Sequence, residues 1–413
     1  MNLQVQTDQL WRELEQLASY SGAPAPAVTR IVFSDQDLLA RAYVKQLCRE
    51  AGLLVREDAV GNTFARWSGE NPDLPVVGTG SHIDAIPNAG RFDGTVGVLG
   101  GLEAIRALKR AKYTPKRSIE LIVFTSEEPT RFGVGCLGSR LMAGTLDPGC
   151  GTRLRDQAGR SLDEVREAAG FLGPLEAVRL PNNHYAAFVE LHIEQGSQLE
   201  RGRVPIGIVT GIAAPASLRV SIEGEGGHAG AVLMPGRRDA FCAAAEIVLG
   251  VEAAAKSSGS TDTVATAGTC DVFPGAVNSI PSLVRLEIDV RDVDGARRDA
   301  VLAAITQIGG DVATRRRVTV HMEVVNQDAP VMSDMRIVEA LTKACKADGI
   351  ASERMVSRAY HDSLFMAQIA PTAMLFIPCR SGISHRPDEY VSPEDIAIGT
   401  LVLAETLGLL AAA

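Results

Sequence analysis

The first half of the chain alternates between apolar runs of strand length and a longer segment with helical spacing. The runs "LPVVGTGSH", "RSIELIVFTSEE" and "AAFVELHIEQG" read as buried strands, and "GTVGVLGGLEAIRALKRA", between the first two, has the spacing of a helix. Such alternation is typical of a largely parallel sheet with helices on both faces. We therefore predict an α/β fold whose ligands gather at the carboxyl ends of the strands.

The pattern changes from about Ala213. Apolar and polar residues alternate in "ASLRVSIEGEGGHAG", "RLEIDVRDVD" and "VTVHMEVVNQDAPVM", as in antiparallel strands with one exposed face. The segment "RRDAFCAAAEIVLGVEAAA" is strongly helical, and the α/β pattern resumes with "MRIVEALTKACKADG" and "PTAMLFIP". A length of 413 residues also favours two domains. We predict one α/β domain from residues 1–212 and 329–413 and an inserted α+β domain from residues 213–328.

Charge and composition exclude several classes of partner. The formal net charge of −9 argues against a nucleic-acid partner, and no apolar run is long enough to span a bilayer. The N-terminal segment is polar and amphipathic and does not resemble a signal peptide. The seven cysteines are scattered without a Cys-x-x-Cys pair, which is typical of a reducing compartment. These features predict a cytoplasmic protein that binds a small molecule.

Histidine and carboxylate side chains follow successive predicted strands. The carboxyl ends of neighbouring parallel strands meet at one edge of a sheet, so these side chains are expected to converge there. Nitrogen and oxygen donors without cysteine suit Mn, Zn, Co or Ni, and a shared carboxylate could join two such ions. The glycines near Gly97 lack the spacing of a nucleotide-binding loop. The candidate metal-site residues are His82, Asp93, Glu127, Glu128, His192 and His385.

Several motifs together resemble one enzyme family along nearly the whole chain. They are "GSHIDAIPNAGRFDGTVGVLG", "FTSEEPTRFG", "FVELHIEQG", "GGHAGAVLMPGRRDA", "VNSIPS" and "GISHRPDE". The chain resembles the hydantoinase/carbamoylase branch of the di-metal amidohydrolase and aminopeptidase superfamily. Within that branch, "GGHAGAVLMP" and "SRAYHDSLFMA" are most similar to the enzymes that act on ureidoglycolate.

The resemblance implies a site with two divalent metal ions per subunit, with manganese as the expected metal. It implies that one ion is held by two histidines, that the other is held by a glutamate and a histidine, and that an aspartate bridges them. His82 and His192 would hold the first ion, Glu128 and His385 would hold the second, and Asp93 would bridge the two.

Two more residues beside the metals receive roles from the resemblance. Glu127 would be the general base, and Asp84 would orient the imidazole of His82 from outside the set of metal ligands. His192 stands where distant peptidase relatives carry a carboxylate ligand, which favours an amidohydrolase over a peptidase.

The resemblance also implies a set of substrate-binding residues. One histidine would stabilise the oxyanion in the active site of the partner subunit of a homodimer, helped by an asparagine. An arginine would bind the substrate carboxylate with both arms of its guanidinium, and the inserted domain would close to bring this arginine and the asparagine over the metals. A glutamine would contact the ureido group, and a Tyr-His pair would shape the pocket. These residues are His228, Asn278, Arg291, Gln195, Tyr360 and His361.

The expected activity is metal-dependent hydrolysis of the terminal ureido group of a small carboxylate. Ureidoglycolate is the favoured substrate, and it would give glyoxylate, ammonia and carbon dioxide. Allantoate and N-carbamoyl-L-amino acids are the closest alternatives. A metallo-dipeptidase and a non-catalytic binding protein are less favoured, since every matched ligand and base position is filled.

Overall fold

The computed structural model describes residues 2–412. Its helices are α1 (Thr7–Ser19), α2 (Asp35–Glu50), α3 (Thr95–Arg110), α4 (Leu137–Ala143), α5 (Cys150–Arg153), α6 (Leu162–Ala168), α7 (Gln198–Gly202), α8 (Ala240–Lys256), α9 (Gly295–Arg316), α10 (Met335–Ala347), α11 (Ser363–Met366) and α12 (Pro393–Ala411), with 3₁₀ turns at Leu175–Val178 and Arg380–Gly382. Its strands are β1 (Val28–Arg30), β2 (Leu54–Glu57), β3 (Thr63–Trp67), β4 (Val76–His82), β5 (Ala85–Ala89), β6 (Ile119–Phe124), β7 (Tyr185–Ile193), β8 (Ile206–Ile212), β9 (Ala214–Glu223), β10 (Gly227–His228), β11 (Val264–Phe273), β12 (Ser279–Ile280), β13 (Leu283–Asp292), β14 (Thr319–Gln327), β15 (Val331–Met332), β16 (Ser352–Ser357) and β17 (Thr372–Ile377).

The chain forms two compact units. The main unit runs to Thr210, and it also contains Ser333–Ser357 and the chain from His361 onward. The inserted unit contains Gly211–Met332 together with the short segment Arg358–Tyr360. Within the described residues, no helix has the length and apolarity needed to cross a membrane.

The segment Arg358–Tyr360 belongs to the inserted unit through its side chains. The guanidinium of Arg358 pairs with the carboxylate of Asp262, and the hydroxyl of Tyr360 donates to Asp328 Oδ2 at 3.0 Å. The sequence-predicted insert, residues 213–328, has no signal for this segment, because it lies far along the chain between two stretches of the main unit.

The main unit is built on a sheet with the strand order β8-β17-β7-β4-β6-β3-β2, with β16 beside β8. The four central strands, β17, β7, β4 and β6, are parallel. The α/β class is therefore confirmed, but the sheet is mixed, because β2, β3 and β8 are antiparallel to their neighbours. A loop of only five residues, 58–62, joins β2 to β3, and a connection this short permits only antiparallel pairing.

Helices cover both faces of this sheet, as the alternation along β7 shows. Val189 and Leu191 point into the core formed with α1, α3, α10 and α12. Phe188 points to the other face, where its ring packs edge-on against Phe124 of β6. His192 also points to this second face, which brings a polar side chain to the carboxyl end of an almost fully buried strand.

The inserted unit is an antiparallel α+β structure, in agreement with the predicted fold class. Its sheet has the order β11-β13-β9-β14, and α8 and α9 pack with the apolar face of this sheet in a separate core. The short strands β10 and β12 pair with each other and hold His228 opposite Ser279.

Candidate metal centre

The carboxyl ends of neighbouring strands bring the predicted ligands together. His82 ends β4 and lies opposite Phe124 of β6, while His192 of β7 lies opposite Phe376 of β17. Both imidazoles are buried, with 2% and 1% of their surface exposed. Histidines at the last position of β4 and the last but one of β7 therefore bring two imidazoles to one edge of the sheet.

Asp93 lies between two sets of potential metal ligands. Its Oδ1 is 3.1 Å from His192 Nε2 and 3.8 Å from His82 Nε2. Its Oδ2 is 3.2 Å from His385 Nε2, which in turn is 3.3 Å from Glu128 Oε1. The donor atoms of His82, Asp93 and His192 form one compact group, and those of Asp93, Glu128 and His385 form another. One carboxylate oxygen faces each group, as a bridging ligand requires.

Three residues other than glycine near this centre have unusual backbone conformations. Ser126, Gln195 and His385 have φ values of 56°, 55° and 58°, in a region that side chains other than glycine rarely adopt. Gly94 has a φ of 65°, and a Cβ atom there would lie 2.5 Å from the ring of His82. Non-glycine residues held this way cost on the order of 1–3 kcal/mol each, and they are typical of functional sites.

Asp84 contacts the site in two ways. Its backbone carbonyl oxygen is 3.0 Å from His82 Nδ1, whereas its carboxylate is 3.7 Å from that nitrogen. The carboxylate instead accepts the backbone N–H groups of Glu127 and Glu128, at 3.2 and 3.1 Å. Burial, together with the charge of Asp37, raises the pKa of Asp84 to about 7. The expected orientation of His82 thus comes from the main chain of Asp84, and its side chain fixes the Glu127–Glu128 turn.

Glu127 lies beside the two ligand groups and belongs to neither of them. Its Oε2 is 3.8 Å from His82 Nε2, and its Oε1 is 3.7 Å from the thiol of Cys136. Burial and the nearby charges of Glu128 and Asp362 raise its pKa well above the ordinary range. A buried carboxylate of this kind is suited to hold and release a proton.

The electrostatics of the ligand residues fit a pair of divalent cations. Burial lowers the pKa of His192, but the hydrogen bond to Asp93 and its charge outweigh burial and raise this pKa to about 9. Hydrogen bonds to Asp93 and Glu128 raise the pKa of His385 to about 10. The carboxylates therefore favour positive charge at these imidazole nitrogens, and bound metal ions would supply it. The donors are all nitrogen or oxygen, which excludes a thiolate site but does not single out one metal.

Gln195 is oriented toward the same centre. Its Nε2 donates to Asp93 Oδ2 at 2.8 Å and to Ser384 Oγ at 3.3 Å. Its Oε1 is buried and has no hydrogen-bond partner among the described residues. Such an oxygen is a free acceptor beside the metal ligands, where it could receive an N–H group of a bound molecule.

The structure separates Tyr360 from His361, which sequence reasoning had grouped as pocket residues. Tyr360 belongs to the inserted unit, whereas His361 is buried in the main unit with 2% of its surface exposed. The ring of His361 packs edge-on against His192 at 4.5 Å, and its Nε2 lies 3.0 Å from Ser357 Oγ. The expectation that the two residues shape the pocket stays a prediction, and the structure places His361 behind the imidazole of His192 with almost no accessible surface.

Sequence reasoning missed several buried polar residues behind the ligands. Glu190 accepts hydrogen bonds from Ser81 and Ser363 at 2.6 and 2.5 Å, and Asp362 accepts one from Ser139 at 2.5 Å. Ser384 and Glu389 lie on the other side, next to Asp93. All three acidic residues lie inside motifs that carry the family resemblance, and this was the available signal. Glu190 lies in "FVELHIEQG", Asp362 in "SRAYHDSLFMA" and Glu389 in "GISHRPDE".

His228 and Asn278 lie together in the inserted unit. The backbone N–H of Ala229 donates to the carbonyl of Asn278 at 2.9 Å. The imidazole of His228 is exposed, and its Nδ1 accepts the backbone N–H groups of Gly230 and Ala231 at 3.1 and 3.2 Å. Since Nδ1 is an acceptor, the ring hydrogen lies on Nε2, which is free to donate outward.

Arg291 already holds a carboxylate. On β13 its Nε donates to Asp289 Oδ1 at 2.7 Å and its Nη2 to Asp289 Oδ2 at 3.4 Å. The pair is partly exposed, with about a third of each side chain accessible. The geometry is the two-armed pairing predicted for a substrate carboxylate, with Asp289 in the substrate's place.

Arg291 and Asn278 lie at opposite ends of the inserted sheet. Arg291 is opposite Pro215 of β9, while Leu283, at the other end of β13, is opposite Glu223. Eight residues of antiparallel strand span about 27 Å, and Asn278 lies beyond Leu283. The expectation that the inserted domain closes to bring both residues over the metals stays a prediction, and this span separates the two residues within one inserted unit.

Comparison with known proteins gives a consistent picture. Residues 78–408 match Peptidase family M20/M25/M40. The chain is 52% identical to the ureidoglycolate hydrolase of Arabidopsis thaliana, over 99% of this chain and 87% of that protein. It is 40% identical to the N-carbamoyl-L-amino acid amidohydrolase of Geobacillus stearothermophilus, over 98% of this chain and 99% of that protein. The crystal structure of AtUAH in complex with glyoxylate superposes with a TM-score of 0.91 at 52% identity, covering 99% of this chain and 98% of that one.

We predict that bound divalent ions stabilise the protein. Without them, the carboxylates of Asp93, Glu127 and Glu128 repel one another in a buried space, and cation binding removes this repulsion. A ligand at one hundred times its dissociation constant stabilises the folded state by about 2.7 kcal/mol. Removal of metal with a chelator should lower the thermal unfolding midpoint, and added Mn²⁺ should restore it. An unfolding midpoint that does not respond to either treatment would contradict the metal centre.

Proposed function

The chain belongs to Peptidase family M20/M25/M40 and to its amide-hydrolysing hydantoinase/carbamoylase branch, and from this premise we propose that it hydrolyses ureidoglycolate. It is a hydrolase of linear C–N bonds. The observation that carries the proposal is the geometry of Asp93, with one oxygen facing each group of ligands, and Glu127 beside them. Allantoate and N-carbamoyl-L-amino acids are the alternative substrates. The glyoxylate bound in the AtUAH structure is the carboxylate product that ureidoglycolate would yield.

Glu127 and Gln195 each have a separate role in the proposed hydrolysis. When bound, two divalent ions, which we propose to be Mn²⁺, polarise the ureido carbonyl and lower the pKa of a water molecule. Glu127 accepts the proton of the attacking water on Oε2, the oxygen that faces His82, and returns it to the leaving ammonia. The free Oε1 of Gln195 accepts a hydrogen bond from the ureido group. The released carbamate loses carbon dioxide, and the remaining hydroxyglycine collapses to glyoxylate and a second ammonia.

The oxyanion that forms during attack needs a hydrogen-bond donor, and we assign this role to His228. Its Nδ1 is occupied by two backbone N–H groups, so a neutral ring presents Nε2–H to solvent. A donor of fixed orientation is worth more to a transition state than one that must reorient.

The substrate carboxylate is assigned to Arg291. Its guanidinium is partly exposed, and it already binds the carboxylate of Asp289 at 2.7 Å, so its orientation suits a carboxylate partner. The substrate carboxylate would replace Asp289 on the guanidinium, and the planar guanidinium suits either partner.

We propose a homodimer in which His228 and Asn278 act in the partner's active site. Arg291 is assigned to its own subunit, and a span of about 27 Å along β13 separates the two ends of the inserted sheet. Apolar side chains surround His228 and Asn278 on the surface, and they would be covered by a second copy. They are Val232, Leu233, Met234 and Val277.

The compartment is also part of the proposal. All seven cysteines are free thiols, and five of them are buried. This is typical of a reducing environment, which supports a cytoplasmic enzyme.

Glu127→Gln should retain both metal ions and lose catalysis. The amide cannot accept the proton of water, so turnover should fall at least ~100-fold. Glu128→Gln is the matched variant, and it should lose metal because Glu128 belongs to a ligand group. Metal content by elemental analysis, together with ammonia release, distinguishes the two. The assigned roles would be reversed if Glu127→Gln lost metal and Glu128→Gln kept it.

Ammonia release from a substrate panel tests the choice of substrate. The wild type should act on ureidoglycolate faster than on allantoate or N-carbamoyl-L-amino acids. Arg291→Lys should raise KM by roughly 10- to 150-fold, since a charge-assisted pair contributes about 1.5–3 kcal/mol. An analogue with an amide in place of the carboxylate should be a poor substrate for both proteins. Preference for another member of the panel would favour that alternative substrate, and an unchanged KM would exclude Arg291 as the anchor.

A hybrid dimer tests the exchange of His228 between subunits. His228→Ala and Glu127→Gln should each be inactive as homodimers. In a hybrid, the metal site with an intact Glu127 receives the intact His228 of its partner. Random mixing makes about half of the dimers hybrids, each with one complete site, so about a quarter of wild-type activity should return. Mixtures that stay inactive although hybrids form would show that His228 serves its own subunit.

A further inference from the structure

We propose that Glu389 is a positioning residue for Asp93, the carboxylate assigned to bridge the metals. Glu389 is buried, with 4% of its surface exposed, and it lies four residues after the ligand His385. The inference depends on the metal-bridging role of Asp93 given above. It assigns Glu389 no contact with substrate or metal.

The first observation is that Glu389 holds the backbone of the bridging residue. Its Oε1 accepts the N–H of Phe92 at 2.8 Å and the N–H of Asp93 at 3.2 Å. These two bonds fix the peptide from which the Asp93 side chain projects. A shift of this peptide would move both carboxylate oxygens away from the histidines that they face.

The second observation is a side-chain link to the same carboxylate. The other oxygen of Glu389, Oε2, lies 2.8 Å from Ser384 Oγ, and that hydroxyl is 3.0 Å from Asp93 Oδ2. Gln195 Nε2 also contacts both the hydroxyl and Asp93 Oδ2. The hydroxyl has a single hydrogen to donate, so it can turn to Glu389 when a cation occupies Asp93 Oδ2. Glu389 therefore contacts Asp93 through its backbone and through one intervening side chain.

Packing leaves Glu389 little freedom to move. A Cβ atom built on Gly90 would overlap the Glu389 side chain, so the loop that carries Asp93 lies directly against it. Phe92 anchors the same loop from another side, with ring centroids 5.6 Å from Trp11 and 6.3 Å from Tyr390. This aromatic cluster should keep the loop folded when the Glu389 carboxylate is removed.

Stability of the fold does not explain a carboxylate at this position. Burial of a charge is unfavourable, and Asp93 adds a second negative charge close by. Among the described residues, the hydrogen-bond partners of Glu389 are two backbone N–H groups and one hydroxyl, and none of them is a cation. Such an arrangement is useful where it orients a metal ligand, and loss of such partners typically weakens metal binding 10- to 100-fold.

The test compares Glu389→Ala with Glu389→Gln. Titration calorimetry with Mn²⁺ should show binding weakened about 10- to 100-fold in the alanine variant. The glutamine variant keeps an oxygen for both N–H groups, so its Mn²⁺ affinity should stay within about threefold of the wild type. Gly90→Ala should weaken Mn²⁺ binding as well, because it displaces Glu389 without removing it. A glutamine variant as weak as the alanine variant would overturn the positioning role.

Thermal unfolding of the metal-free proteins separates positioning from a structural role. Glu389→Ala should unfold within a few degrees of the wild type without metal and lose most of the Mn²⁺-induced rise. If Glu389→Ala lowers the unfolding midpoint equally with and without Mn²⁺, and its Mn²⁺ affinity is unchanged, the inference is overturned.

The control is Glu120→Ala, which removes a buried carboxylate that accepts the Tyr185 hydroxyl at 2.7 Å, near the other end of β6. It should change the unfolding midpoint and leave Mn²⁺ affinity unchanged. The variant Asp93→Asn distinguishes an error in the proposed metal centre from an error in the role of Glu389. If it binds Mn²⁺ normally, the proposed metal centre is wrong. If it loses Mn²⁺ while Glu389→Ala does not, only the role of Glu389 is wrong.

Discussion

The carboxylate of Asp93 is the interaction on which the rest of the site depends. Its two oxygens face different ligand groups, so a displacement of this one side chain would disturb both at once. The surrounding structure limits that displacement from several directions. Gln195 and Ser384 contact one oxygen, Glu389 holds the backbone, and the ring of Phe92 anchors the loop. Two ions that share this carboxylate would depend on its position, and these contacts fix that position.

Several features of the site are unfavourable for the free energy of folding. Buried carboxylates lie close together, and residues other than glycine adopt left-handed backbone conformations around them. Each of these features opposes folding, and the apolar core on the far face of the sheet offsets them. The parallel strands explain how this is possible. The residues within these strands are continuously buried, and only the residues that follow the carboxyl ends need not pack in the core.

Most of the candidate site residues could be predicted from the sequence, but few of the contacts that position them could. His82, Glu127 and His192 could be found because each follows or ends an apolar run, and strand order then brings them together. The mixed character of the sheet was missed, since helical and strand spacing do not report strand direction. The tethering of Arg358–Tyr360 to the inserted unit depends on side-chain pairs with residues distant in the chain. For the same reason, the contacts of Glu389 with Phe92 and Asp93 appear only when three-dimensional neighbours are known.

The length of β13 has a consequence for the whole enzyme. If one end of the inserted sheet serves its own subunit and the other end serves the partner, the strand acts as a fixed spacer between two active sites. A two-fold axis repeats every contact, so a dimer that completes one site completes the other as well. An isolated subunit would then hold the metals, the base and the carboxylate anchor but lack the oxyanion donor. Hydrolytic activity would depend on association, whereas metal binding would not, because all the candidate metal ligands lie in the main unit.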